Sequence, residues 1–538
     1  MKTVEKRRQA DIRGQLGALK KPLAGFAGFM RSHWMMALCI AIILVLVYGG
    51  QAFSNYFYID KEVFVNNPRT YYNWGETGRF GLIFINRFFG MGWYNPYVAG
   101  ILFLAGLWLA AMMGGYLFYM IEPELPTPIL ALFMLLFMIF PTYVEMFLFQ
   151  FVAYEIVTAM VFMLAADWLF VLAVREKNIA AFAASLPLMV ITFGSYQSLV
   201  MMQLCLYMGI FLMLIYTDGE EKMLSVSIGY SIVHFAAAFG ISELISRCFF
   251  SGSDYVNSMV AWQSGDYETC LRYIGQTMYK VVTLKDPCYP VTYDLCWGIG
   301  LAALVILLIR RRRWVVWYGL GLLGVVLSPF FLLFVMGQPP MYRMQLSFPV
   351  ASAFLFLFSI HVILREVKEN RVKAAKGLFV LMGCAMLFLN IKPMMRLFYT
   401  RDVVGKADEM TAALIIGRLN DISSVVEGEK PVVFIGRKPA MLNASCYTMQ
   451  NCWTYTIMSA FDMDYAFEPY YYYSTQRILG YFRTLGVQYI SGVAPEDMPS
   501  AYEDSEDMPI WPEAGSVEEF EDYVIVKLGE TELPAVAR

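Results

Sequence analysis

Charge is scarce in this sequence. Only 16% of its 538 residues are Asp, Glu, Lys or Arg, against roughly 25% in an ordinary soluble domain, which excludes a fully solvated enzyme as the starting class. A net positive field is missing as well: 41 basic and 44 acidic residues leave a charge of −3. Nucleic acid is therefore not an expected partner, because counterion release needs such a field. Histidine occurs only as His33, His234 and His361, too scattered for a zinc site. No Walker, Rossmann or Ser-His-Asp arrangement is evident, and neither is a repeat of solenoid length. What the chain has instead is apolar mass, 58% hydrophobic and 16% aromatic. It is gathered into blocks of about twenty residues, each able to cross a bilayer as a helix.

These blocks predict a polytopic α-helical membrane protein with about eleven transmembrane helices. They lie near 34–53, 96–120, 128–141, 151–173, 179–194, 198–216, 223–246, 296–309, 314–336, 346–364 and 376–391. The basic segment 1–33 before the first block keeps the N-terminus in the cytoplasm, and it is too long for a cleaved signal peptide. Arg175-Glu176-Lys177, Arg310 to Arg313, and the run from Arg365 to Lys376 then fall on the cytoplasmic side as well. An odd number of crossings in the plasma membrane places loops 54–95 and 247–295, and everything after about residue 392, outside.

The expected domains are thus a membrane portion over 34–391 and a tail over 392–538. The tail holds 12 basic and 22 acidic residues, giving a net charge of −10 against +7 for the rest. Its helix-like 408–422, strand-like 431–436, helix-like 475–485 and closing strand 523–528 describe a small α/β or α+β domain. An oxidising exterior permits disulfides, either Cys446 with Cys452 or a pair from the second loop; free buried thiols are the alternative.

Chemistry is expected where polar groups gather at the outer ends of the spans. Asp60 and Glu62 follow the first span within about two helical turns of the interface, where a lipid head group lies. A sugar leaving a phosphate-linked lipid needs a base to take the acceptor's proton, but phosphate departs without a strong general acid. It needs fixed positive charge, for which Arg79, Arg87 and Arg343 are the outer candidates. Glu145, in the short turn after Pro141, and the segment Gly194-Ser195-Tyr196-Gln197-Ser198 offer further polar groups, with Tyr196 and Gln197 placed to bond a sugar. Bland readings stand beside each: solvated loop carboxylates paired with Lys61 or Arg69, a tight turn at Gly194, and Arg343 snorkelling to lipid phosphate. Glu155 and Asp167 fall within a span, where ionisable groups face a polar cavity or bond a neighbouring helix. Asp462-Met463-Asp464 spells a metal-binding pattern too common to carry weight, and the aromatic tract 469–473 suits core packing or sugar stacking.

The pattern resembles the GT-C membrane glycosyltransferases, and more closely the bacterial serotype-converting glucosyltransferases of Gtr type II. The resemblance rests on Tyr58-Ile59-Asp60, Gly78-Arg79-Phe80, Ser195-Tyr196-Gln197-Ser198, and the ending Pro512-Glu513-Ala514-Gly515-Ser516-Val517 with Val524-Ile525-Val526-Lys527-Leu528. It implies a GT-C-like fold and transfer of glucose from a polyprenyl-phosphate carrier to a surface polysaccharide such as O-antigen. It makes Asp60 the catalytic carboxylate, with Lys61 separating Glu62 from it where many relatives have adjacent acids. It also implies the lipid-linked sugar as donor, a surface glycan as acceptor, and the bilayer as surroundings, with a flippase and a donor-synthesising transferase as possible partners. A divalent cation stays open. The competing classes are a lipid or oligosaccharide transporter, whose mark would be paired broken helices, and a non-enzymatic envelope scaffold.

Overall fold

The computed structural model describes residues 13–250, 259–286, 288–311, 314–367, 369–447, 458–462, 473–494 and 498–530. The chain divides into two compact units, Met1–Ser54 with Tyr72–Met395, and Asn55–Tyr71 with Arg396–Arg538.

In the first unit every apolar block folds as a helix. In chain order these are α1 (Lys21–Ser32) and α2 (Trp34–Ala52), then, after α3 (Lys61–Asn66) of the second unit, α4 (Phe80–Phe88), α5 (Pro96–Ile121), α6 (Thr127–Met138), α7 (Tyr143–Leu148), α8 (Gln150–Glu176), α9 (Ile179–Phe193), α10 (Ser198–Asp218), α11 (Glu220–Phe249), α12 (Tyr267–Val282), α13 (Val291–Arg310), α14 (Val315–Met336), α15 (Ser347–Glu366) and α16 (Glu369–Asn420). Among the described residues nine helices are long and apolar enough to cross a membrane. The blocks expected at 128–141 and 179–194 form α6 and α9, of 12 and 15 residues. At 1.5 Å per residue these reach about 18 and 23 Å, short of a hydrocarbon core of about 30 Å. The protein is therefore membrane-embedded and helical, with nine long and two short apolar helices among the described residues.

Burial sorts the helices. In α15, 94% of the apolar window is buried, against 17% in α11. Helix α15 is central, packed by α6, α10 and α13, while α11 exposes Ile232, Val233 and Leu244. An apolar face of that kind is stable only against lipid or a partner. Local signals set the helix ends: Asn95 caps α5 by accepting from Tyr97 N and Val98 N, and Asn178 caps α9 by accepting from Ala181 N.

The loops read as cytoplasmic converge on one end of this unit. Arg175 pairs with Asp218 at 2.6 Å and donates to the carbonyls of Met120 and Ile121. Lys21 pairs with Glu176, and Arg310 with Glu366. Glu122, 3% exposed, accepts from Arg365 at 3.0 Å and Thr217 at 3.2 Å. A buried carboxylate is tolerable only with such partners.

The second unit has a three-stranded sheet in the order β1-β3-β2, with β1 (Val432–Ile435) parallel and β2 (Val517–Glu519) antiparallel to β3 (Val524–Lys527). Strands β1 and β3 are buried throughout, as the Val/Phe/Ile run of β1 and Val524-Ile525-Val526 of β3 require, and the buried Lys527 that ends β3 donates from Nζ to Glu506 O at 3.1 Å. Helix α17 (Tyr473–Thr484) packs on β1. The far part of α16 contributes Ala412, Ile415 and Leu419, spaced three and four residues apart, to the same core. Phe57 of the first loop is buried in that core too, against Tyr481 at 4.9 Å between ring centres.

Candidate active site

Asp60 stands where the backbone turns into α3. Its φ of 71° and ψ of −13° are left-handed, a conformation that Asp tolerates better than most residues but still at a cost of the order of 1 kcal/mol. Helix α17 brings Arg477 to it: Nη2 donates to Asp60 Oδ1 at 2.8 Å, and Nη1 donates to Glu62 Oε1. One guanidinium thus bridges both carboxylates through charge-assisted bonds. The two acids differ in surroundings. The Asp60 side chain is 37% exposed and that of Glu62 2%. Burial pushes Glu62 up to about 7, opposed by Arg477 and reinforced by the Asp60 charge. Its Oε2 is buried with no hydrogen-bond partner. Asp60 can meet a substrate, whereas Glu62 is a buried group poised near neutrality between its two protonation states.

Lys61, between them, is 4% exposed. Its Nζ donates to Asn55 O and Oδ1, both at 2.7 Å, and to Tyr56 O at 2.9 Å. Burial pushes it down to about 7, with the Arg401 charge adding to the effect. The loop seats against two glycines. A Cβ at Gly480 of α17 would lie 2.8 Å from Glu62 Cγ, and one at Gly405 of α16 would run into the Tyr56 ring. Asn66 completes the seat by donating to Gly480 O at 2.9 Å.

The other expected residues lie in the first unit. Arg79, at the start of α4, lies 4.8 Å from the Trp74 ring centre and 5.0 Å from that of Tyr196. Its Nε is 3.4 Å from Gln197 Oε1, and Gln197 Nε2 donates to Thr77 O at 2.7 Å. Glu145 of α7 accepts from Arg343 N at 3.0 Å and faces Arg343 Nη1 at 3.5 Å. A row of rings joins the two arginines: Arg343 over Phe149 at 5.1 Å, Phe149 beside Phe151 at 6.0 Å, and Phe151 stacked on Trp74 at 6.4 Å. Arg79, Tyr196, Gln197, Arg343 and Glu145 are therefore linked by one row of cation and ring contacts. Arg87 lies apart from this row, over Tyr72 at 4.8 Å. Asp167, expected to bond a neighbouring helix, accepts from Gln203 of α10 at 2.7 Å.

Sequence reading missed Arg477 and Arg401. Arg477 is an ordinary polar position on an amphipathic helix, 417 residues from Asp60. Arg401 carried a usable signal, an ionisable residue just past Leu397-Phe398-Tyr399. Among the described residues the second-loop cysteines Cys270, Cys288 and Cys296 are buried thiols and Cys248 an exposed one, and none of them forms a disulfide. Cys446 is free and buried, and Cys452 lies outside the described residues. So do Met463, Asp464 and 469–472, and no group of three metal-ligating side chains occurs among the described residues.

Long apolar helices with arginines and carboxylates gathered on short polar segments define a membrane-embedded helical protein with sites suited to charged substrates. The family model for the glucosyl transferase GtrII matches residues 49–360, more than half of the chain, and the chain belongs to that family. It is a membrane glycosyltransferase by family. The match spans Asp60, Arg79, Glu145, Tyr196 and Arg343 and stops before Arg401 and Arg477. No curated protein and no solved structure matches the chain.

Proposed function

We propose that the protein transfers glucose from a polyprenyl-phosphate carrier to a cell-envelope glycan at the outer face of the plasma membrane, with Asp60 as general base. The observation that carries this reading is the exposed Asp60 carboxylate, fixed by Arg477 on a left-handed turn, in a chain of the GtrII family. In the proposed step Asp60 takes the proton of an acceptor hydroxyl as that oxygen bonds to the anomeric carbon. The bond from that carbon to phosphate oxygen breaks, and polyprenyl phosphate leaves with the electron pair. No general acid is needed. Glu62, which shares Arg477, holds the bridge in register and is given no proton-transfer role.

Glycan recognition falls to the arginines set on aromatic rings. Arg79 with Tyr196 and Gln197, and Arg343 steadied by Glu145, offer cations, ring faces and an amide suited to hydroxyl-rich sugar rings. Arg87 over Tyr72 offers the same pairing. The outward placement of loop 54–95 is supported by the positive-inside tendency of the basic loops gathered at one end of the first unit. A transferase that charges the carrier and a flippase that turns it over are the partners such a route calls for.

The reading is tested by the mass of the surface glycan from cells with and without the protein. One added hexose per repeat, dependent on the protein, supports it. Identical glycans in cells that make the charged carrier refute it.

A further inference from the structure

Arg401 of α16 is 1% exposed, and both of its terminal nitrogens are buried with no hydrogen-bond partner. A guanidinium stays charged in proteins and carries five N–H donors, so leaving its forked end unbonded in a dry interior costs more than almost any other arrangement. Its electrostatic surroundings are Asp408, Tyr481, Tyr58 and Tyr56, with the Tyr56 ring centre 5.6 Å away. Asp408, the one carboxylate among them, is taken up by the Ser459 hydroxyl and the Ala460 amide, and it makes no ion pair with Arg401. A second cation, Lys61, is close enough to feel the Arg401 charge. Two buried cations, one with its donors unsatisfied, thus lie in the unit that carries Asp60, and Lys61 is the residue next to it.

We infer that Arg401, backed by Lys61, is a receptor for a phosphate group, and that its occupant during the reaction is the phosphate of the lipid-linked donor. The inference rests on the proposed function for the identity of the occupant, and on the unbonded guanidinium for the existence of the site. A phosphate monoester or diester offers oxygens in the geometry that a guanidinium fork engages two at a time. The phenolic rings among its neighbours supply no full charge of their own. Tyr56 and Tyr58 belong to the loop that carries Asp60, so the phosphate receptor and the base share one segment of the chain.

The test is binding of farnesyl phosphate, inorganic phosphate and decyl glucoside to the purified full chain in detergent, read by the shift in thermal midpoint and by equilibrium titration. The expected result is that farnesyl phosphate stabilises the wild type and decyl glucoside does not. Arg401→Met weakens farnesyl phosphate at least tenfold, Arg401→Lys weakens it less, and Asp60→Asn leaves it within twofold. Inorganic phosphate competing at the same site identifies the phosphate itself as the recognised group; competition only by farnesyl phosphate assigns the site to the lipid-borne form. If Arg401 serves only as counterion to Asp408, Arg401→Met binds farnesyl phosphate like the wild type, and Arg401→Met with Asp408→Asn regains the stability lost in the single variant. That outcome overturns the inference. Should Arg401→Met fail to fold, Arg401→Lys and Lys61→Met carry the comparison, and unchanged affinity in both is equally fatal. Surface-glycan transfer is measured separately, so failure of the phosphate site is distinguishable from failure of the proposed activity.

Discussion

Asp60 and Glu62 lie two positions apart yet in different media, and their variants are expected to differ accordingly. Glu62 is raised in the folded chain from 4.5 to about 7, so the folded state binds its proton more tightly than the unfolded chain does. Its stabilising contribution is full below about 4.5 and is lost as pH rises through about 7. Lys61, lowered from 10.5 to about 7, has its window above neutrality and contributes no slope below it. Thermal unfolding of Glu62→Gln at pH 5 and pH 7.5 is therefore expected to lack a fall that the wild type shows; equal falls in both proteins would remove Glu62 as the source. On the proposed mechanism Arg477 acts through Asp60 rather than on substrate. Arg477→Met is expected to lower glucosyl transfer by roughly 10- to 100-fold, because the Asp60 carboxylate loses the guanidinium that fixes its position. Arg477→Lys should restore part of the rate. Transfer by Arg477→Met within a few fold of the wild type would remove Arg477 as a positioning residue. The place of Asp60 just after a span was legible in the sequence. Arg477 was not, since nothing in a single sequence links two positions 417 residues apart.

At the scale of elements, length was the readable quantity. Nine apolar blocks became long helices because a run of apolar residues has no other satisfied form in lipid, and two came out shorter because cap and turn residues end them early. The first loop was less legible. Its residues 55–71 join the C-terminal segment, and the contacts responsible are made through Gly405 and Gly480, which look like ordinary helix residues until something lies against them. Gly480→Ala tests this. Alanine favours the helix by about 1 kcal/mol, yet the added carbon meets Glu62 and overpacks the seat, so a net loss of about 1–3 kcal/mol and reduced transfer are expected from chemical denaturation and activity assays. A stabilised, fully active variant would show that the loop is not held there. Asp167→Asn, by contrast, alters a helix-to-helix bond with Gln203 inside the first unit and is expected to lower stability with little change in activity per folded molecule.

For the whole molecule, apolar composition and helix length place the protein in a membrane. The pairs Lys21–Glu176, Arg175–Asp218 and Arg310–Glu366 tie basic loops together at one end of the first unit, the end that the proposed orientation puts in the cytoplasm. Arg365 is the deepest tie, because Glu122 is left as a buried carboxylate without its main cation in Arg365→Ala. That variant is expected to lose about 3–5 kcal/mol, read as a fall in thermal midpoint or in membrane yield. What the sequence could not convey at this scale is the partition of polar groups: an exposed carboxylate with its bridging arginine in one unit, and cations on aromatic rings in the other.

The central claim, that the Asp60 carboxylate removes the acceptor's proton, is tested most directly by single-turnover transfer from glucosyl polyprenyl phosphate by purified Asp60→Asn. Asparagine is isosteric and accepts a left-handed backbone, so the variant keeps the turn and loses only the base. The account predicts unimpaired donor binding with transfer reduced by roughly 10²- to 10⁴-fold. Transfer within a few fold of the wild type, with the Arg477 contact intact, would contradict it.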